Sequence, residues 1–320
     1  MHAVMDDAPR LIPVEALLDL AGPGGGAAAS GAAPFPGVAA ALAARLRADG
    51  ASPMVTFYDD ATGERVELSG VTLDNWVAKT ANLLVDTLGL GPGDRVGVDL
   101  PAHWLAVVIL LAAWSAGLEV LVAPDSAGAE TGPLADGTEA ADEAGQVAGG
   151  DVQAFFVAES RVDAALALGA DEVVALSLRP FGARMAHPVA GVLDFAAEVP
   201  AHGDRFAAPA PPPAQTALLA RAASAAGFAG LGPGDRLLAA AGPGDAEGLL
   251  AAVLAPLVTG ASVVLCRHLD THLDDGALAR RIATERVTAV CGTRRPLPAG
   301  VRQLSLAEAA TPPGRAPDTD

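Results

Sequence analysis

The heptad Gly-Leu-Gly-Pro-Gly-Asp-Arg occurs twice, at residues 89–95 and 230–236. Each copy follows an Ala/Leu-rich helical run, 73–88 and 214–229. Each precedes the same succession: a short apolar strand (96–100; 237–241), an apolar helix (102–116; 246–259), a glycine (Gly117; Gly260) and another strand (119–123; 262–266). A helix–turn–strand–helix–strand unit used twice predicts an α/β fold of two related lobes, each a mainly parallel sheet flanked by helices. The heptad also has a local cause. Gly89 and Gly230 stand where a helix ends in the left-handed conformation, which glycine adopts without a Cβ clash. Pro92-Gly93 and Pro233-Gly234 suit type II turns, and Asp-Arg leads into each strand.

Composition narrows the function classes. The 320 residues can bury a large core, and with aromatics at only 4% that core must be built from Ala, Val and Leu. A net charge of −18 argues against nucleic acid and against an anionic membrane surface as partners. Crossing a bilayer takes about 18–20 apolar residues; the longest apolar run, Trp104 to Trp114, falls short and reads as a buried helix. Asp6 and Asp7 stand where a secretory signal would be basic, and Cys266 and Cys291 read as buried thiols. The expected location is cytoplasmic.

Along the chain, 1–36 reads as an N-terminal segment with a Gly/Ala linker and 37–198 as the first lobe. Residues 199–213 form a Pro-rich connector, 214–310 the second lobe and 311–320 a disordered tail. Within the first lobe, 54–58 and 64–68 read as a hairpin and Thr72 as the cap of the next helix. The acidic Gly/Ala stretch 125–150 reads as a mobile loop.

Several stretches then carry a resemblance. They are Val71-Thr-Leu-Asp-Asn-Trp76, Ala81-Asn-Leu-Leu84, the first heptad with Val96-Gly-Val98, and Leu100-Pro-Ala-His-Trp104 running on to Ala116-Gly117 and Pro124. Leu254-Ala-Pro-Leu257, Thr259-Gly-Ala-Ser-Val-Val-Leu265 and Glu285-Arg-Val-Thr288 continue it in the second lobe. Over about residues 37–310 the chain resembles the N-terminal domain of the acyl-adenylate-forming superfamily, which includes the acyl-CoA synthetases. It is most similar to a shortened actinobacterial branch lacking the ATP phosphate loop and the C-terminal domain.

The departures bear on activity. The resemblance implies a Ser/Thr/Gly-rich phosphate loop ahead of helix 214–229. The chain has Ala207-Ala-Pro-Ala-Pro-Pro-Pro213 there, without the N–H groups and cation that hold phosphates. The sole lysine, Lys79, lies in a first-lobe helix, and the sole tyrosine, Tyr58, in the hairpin. Neither matches the superfamily's adenylating lysine or its Tyr-Gly-x-Thr-Glu motif. Gly242-Pro-Gly-Asp245 replaces an aromatic-His pair. The expected function is therefore binding of a small acyl-like ligand or a protein, without catalysis and with no cofactor. Two alternatives stand beside it: an AMP-forming acyl-CoA or acid ligase with an atypical or partner-completed site, using ATP/AMP or CoA, and a ligand-free scaffold.

Ligands of open α/β sheets sit at the carboxyl ends of strands. Gly242, Asp245, Gly292, Thr293 and Arg294 follow two such ends and form the candidate pocket rim. No catalytic set is assigned. His268-Leu-Asp270-Thr-His272 has i,i+4 histidines without the Glu of the zinc hydrolase motif, so it reads as a solvated loop and no metal is expected.

Overall fold

The computed structural model describes residues 10–20, 34–124 and 151–307. The linker, the acidic stretch at 125–150 and the tail expected from the sequence lie outside them. The elements run β1 (Ile12–Pro13), α1 (Val14–Leu20), α2 (Val38–Asp49), β2 (Pro53–Asp59), β3 (Glu64–Ser69), α3 (Gly70–Asn82), β4 (Arg95–Asp99), α4 (Trp104–Ser115) and β5 (Glu119–Val122). Then come β6 (Ala154–Ala158), α5 (Val162–Leu168), β7 (Glu172–Leu176), β8 (Val192–Asp194) and α6 (Phe195–Glu198). The second half holds α7 (Pro213–Phe228), β9 (Arg236–Ala239), α8 (Ala246–Leu249), α9 (Ala255–Thr259), β10 (Ser262–Arg267), α10 (Leu269–His272), α11 (Asp275–Glu285), β11 (Ala289–Cys291) and β12 (Arg302–Gln303).

Two six-stranded sheets result, ordered β1-β5-β4-β6-β7-β8 and β12-β11-β9-β10-β2-β3. Only the edge strands β1 and β3 pair antiparallel. The period-2 alternation of the strands sorts the core. Val98, Phe156, Leu237 and Leu265 face a shared interior, packed with α2, α3, α4, α7, α8 and α9 between the sheets. Phe155 and Val173 face outward under α5, and Leu238 and Val264 under α11. Every residue of α4 is buried, as its unbroken apolar sequence requires.

The repeat is structural as well as sequential. Gly89 and Gly230 have φ of +69° and +66°. Asp94 and Asp235 accept from the backbone N–H of Gly91 and Gly232, at 2.7 and 2.9 Å. Gly117 and Gly260 each lie against the heptad proline, where an added Cβ would come within 3.3 and 3.4 Å. The turns differ: Gly93 has φ +94°, whereas Gly234 stays out of the positive-φ region, so a type II turn exists in the first copy only.

The hairpin departs from expectation. Expected within the first lobe, it joins the second sheet, with β2 parallel to β10 from Val55↔Val263 to Asp59↔Arg267. Sequence order does not fix the partner of a strand whose crossover spans two hundred residues. On the hairpin's outer face an ion network holds it there. Glu285 accepts from the Tyr58 hydroxyl at 2.5 Å, from Arg65 at 3.0 Å and from Arg236 at 2.6 Å. Arg281 forks onto both Asp60 carboxylate oxygens at 2.7 and 2.6 Å, with its guanidinium 4.0 Å from the centre of the Tyr58 ring. Ser69, rather than Thr72, caps α3, its hydroxyl accepting from Thr72 N–H at 3.1 Å.

Candidate functional site

The rim residues read from sequence divide in two. Gly242 and Gly292 lie side by side after β9 and β11. Gly292 (φ +81°) sits so close to the end of β9 that a Cβ there would come within 3.1 Å of Ala241 N. Gly248, one turn into the next helix, would put a Cβ 2.0 Å from the Gly242 carbonyl. Asp245 caps α8, accepting from Glu247 N–H at 3.1 Å. Glu247 closes the space behind it, accepting from the Cys291 thiol at 2.7 Å and from Leu306 N–H at 2.9 Å. Thr293 turns away to donate to Asp270 at 2.9 Å. Arg294 is exposed beside a shallow hollow shared with Arg295, Leu297 and Gln303. These residues therefore sit at adjoining strand ends but do not converge on one point.

Residues 207–213, where the resemblance read from the sequence implies a phosphate loop, are exposed from Ala207 to Pro211 and enter α7 at Pro213. The polar side chains that follow are occupied inside the protein. Gln215 is buried, donating to the Trp114 carbonyl at 2.6 Å and accepting from Val38 N–H at 3.0 Å. Thr216 donates to the Pro36 carbonyl at 3.1 Å. Pro211 packs on Gly37, where a Cβ would fall 2.5 Å away. Lys79 donates to the Pro200 and His202 carbonyls of the connector.

A larger cleft, about 590 Å³, opens between the two sheets where β6 and β7 of one and β2 and β10 of the other end. Asp59 forms one wall. Its carboxylate meets His268 Nδ1 at 2.7 Å and Ala61 N–H at 3.0 Å, and Arg267 lies 3.9 Å away. Burial opposes ionisation of Asp59, but the His268 and Ala61 hydrogen bonds outweigh it and hold the carboxyl below its ordinary range. Asp59 fixes the orientation of the imidazole, whose side chain is one-third exposed (33%). Ser160, Ser177 and Arg179 stand across the cleft.

Beneath lies a buried polar group. Glu64, 6% exposed, accepts from Phe181 N–H at 3.0 Å through one oxygen, while its second has no partner. Burial raises its pKa, and the neighbouring Asp59 adds to that. His103 caps α4, with Nδ1 accepting from Leu105 N–H at 3.1 Å; its Nε2 and the Trp104 Nε1 have no partner. Burial, with Arg267 nearby, pushes His103 down to about 3, so it is neutral and carries its proton on Nε2. Three of the four non-glycine residues at positive φ among the described residues, Leu178, Phe181 and His268, belong to this region. Such positions collect at functional sites.

The sequence pattern places His268 in a solvated loop. The structure instead makes it the N-cap of α10, bonded to a carboxylate 209 positions away. No glycine or asparagine marks that left-handed turn, so the only signal was the histidine beside an arginine at a strand end.

Comparisons with known proteins now give the class. A model of the AMP-binding enzyme family matches residues 43–132. Three solved enzymes share the fold at 18–20% identity. An acyl-CoA synthetase from Brucella canis has a TM-score of 0.57 and covers 79% of this chain and 47% of its own. An acetoacetyl-CoA synthetase from Streptomyces lividans has a TM-score of 0.59, with 79% and 42% covered, and a benzoate CoA ligase from Burkholderia xenovorans 0.56, with 80% and 50%. The chain thus has the N-terminal-type fold of the acyl-adenylate-forming superfamily and spans about half the length of these synthetases. It is also 38% identical over 251 residues to a TIGR03089 family protein of Mycobacterium tuberculosis, a match covering 77% of this chain and 93% of that protein. It belongs to that family.

Proposed function

We propose that this protein is a non-catalytic relative of the adenylate-forming enzymes that binds a small ligand in the cleft between its sheets. One observation carries the reading: the segment placed like a phosphate loop has prolines where N–H donors are needed, and its Gln215 and Thr216 serve packing inside the protein. Phosphoryl and adenylyl chemistry depends on fixed donors and cations around developing charge. At this segment those donors are replaced by Pro211, Pro212 and Pro213.

Thermal denaturation with ATP, AMP, CoA and acyl-CoAs tests it. Selective stabilisation by one of these ligands other than ATP and AMP is the expected pattern. Stabilisation by ATP, deepened by a carboxylic acid, would favour an atypical ligase, and no stabilisation by any ligand a scaffold.

A further inference from the structure

We infer that Arg267 is the anchor of an anion site in the inter-sheet cleft, and that its ligand is a small molecule bearing a singly charged oxyanion. This deepens the binding reading above and does not depend on whether adenylation is absent.

Arg267 ends β10, and its side chain is 25% exposed, so most of the side chain has been taken from water. Asp59 lies 3.9 Å from it, beyond hydrogen-bond reach, the buried Glu64 also feels its charge, and among the described residues its guanidinium makes no hydrogen bond. Two half-buried arginines nearby behave differently: Arg236 of β9 and Arg281 of α11 are each bonded to a carboxylate at 2.6 Å. A fork of five N–H donors facing a cleft is suited to planar, bidentate oxyanions.

The surroundings select the ligand. The Asp59 hydrogen bonds go to His268 and Ala61, so the guanidinium beside it keeps its N–H donors for a ligand while the carboxylate anchors the adjoining His268. The imidazole of His268 and the hydroxyls of Ser160 and Thr62 line the same cleft and offer further polar contacts. Glu159 and Asp163 also line it. With Asp59, Glu159 and Asp163 set against the guanidinium groups of Arg267 and Arg179, the latter donating to the Arg184 carbonyl, a polyphosphate would still meet more negative than positive charge, whereas one negative group fits the Arg267 guanidinium. The backbone supports a built site: His268 holds φ +59° and Leu178, on the opposite wall, φ +51°.

The test is titration of the intact protein with sodium acetate, sodium benzoate and inorganic phosphate, following the arginine Nε–Hε signals by ¹⁵N NMR. One signal should shift saturably with a carboxylate, at lower concentration than with phosphate. Arg267→Gln should weaken that binding about tenfold or more, as expected for loss of a charge-assisted pair, with its melting temperature reported alongside. Arg267→Lys keeps the charge and removes the fork; it should bind several-fold more weakly and serves if the glutamine variant does not fold. Arg47→Gln, on the exposed end of α2, should bind as the wild type does. No saturable shift with any probe, tighter binding of phosphate, or binding unaltered in both Arg267 variants would overturn the assignment. Loss in Arg294→Gln alone would move the site to the β9–β11 rim and overturn it equally. ATP-dependent turnover would defeat the non-catalytic reading and leave the Arg267 result standing.

Discussion

The two faces of the β2–β3 hairpin carry two buried carboxylates with opposite fates. On the outer face Glu285 meets Tyr58, Arg65 and Arg236, so burial is answered by donors. Despite burial, which acts against it, those bonds hold its pKa below the usual 4.5. On the inner face Glu64 has one backbone donor, an unpartnered oxygen, and a pKa raised by burial. Neighbouring residues of each strand supply both settings: Tyr58 of β2 and Arg65 of β3 point outward, Asp59 of β2 and Glu64 of β3 inward. The difference separates architecture from opportunity. A satisfied network fixes a strand to its sheet, whereas under-satisfied polar groups beside a cleft mark where another molecule can be accommodated.

Changes on the outer face should have the largest effect. Glu285→Ala leaves Tyr58 without its acceptor and the half-buried Arg236 without its carboxylate, and should destabilise by about 3 kcal/mol or more in urea unfolding, as breaking a buried pair does. Unchanged stability would show that the network does not hold the hairpin. Arg281→Lys keeps a charge near Asp60 but loses the fork and the planar stacking on Tyr58, an expected cost of about 1–2 kcal/mol by the same measurement.

The smallest effect has the opposite sign. Glu64→Gln keeps an acceptor for Phe181 N–H and removes a carboxylate that resists ionisation, so it should stabilise by about 1 kcal/mol at neutral pH. The pH dependence separates the faces. An acid whose folded pKa is raised costs stability above its unfolded value, so the gain from Glu64→Gln should vanish as pH falls below about 4.5. An acid whose folded pKa is lowered contributes above its unfolded value, and the Glu285 contribution should fade as pH falls from about 4.5 through its lower folded pKa. Parallel pH profiles for the Glu64 and Glu285 variants would break the comparison.

Much of this architecture is legible in the sequence. The paired heptads announce two related units because glycine at 89 and 230 has a local geometric reason that reappears in both copies, whereas the type II turn expected at both prolines forms only at Pro92, and the matching backbone bonds of Asp94 and Asp235 emerge only in the structure. Alternation along 53–69 marks two strands with polar and apolar faces, but alternation cannot say which sheet they join. That choice depends on β10, two hundred residues later. The same distance hides the cleft. Asp59, Arg267 and His268 are ordinary residues until the β2–β10 register places Asp59 opposite Arg267. Gly242 and Gly292 were accessible to strand-end reasoning because they follow β9 and β11, yet that reasoning gives position without convergence, and Thr293 and Arg294 face away from them.

The central claim is that the fold has been retained without the means of activating a carboxylate on ATP. Carboxylate-dependent exchange of labelled pyrophosphate into ATP, run across short, branched and aromatic acids with Mg²⁺, tests it most directly. We predict exchange at the level of a protein-free control for every acid. Exchange above that level with any acid, reduced by the removal of Mg²⁺, would contradict it.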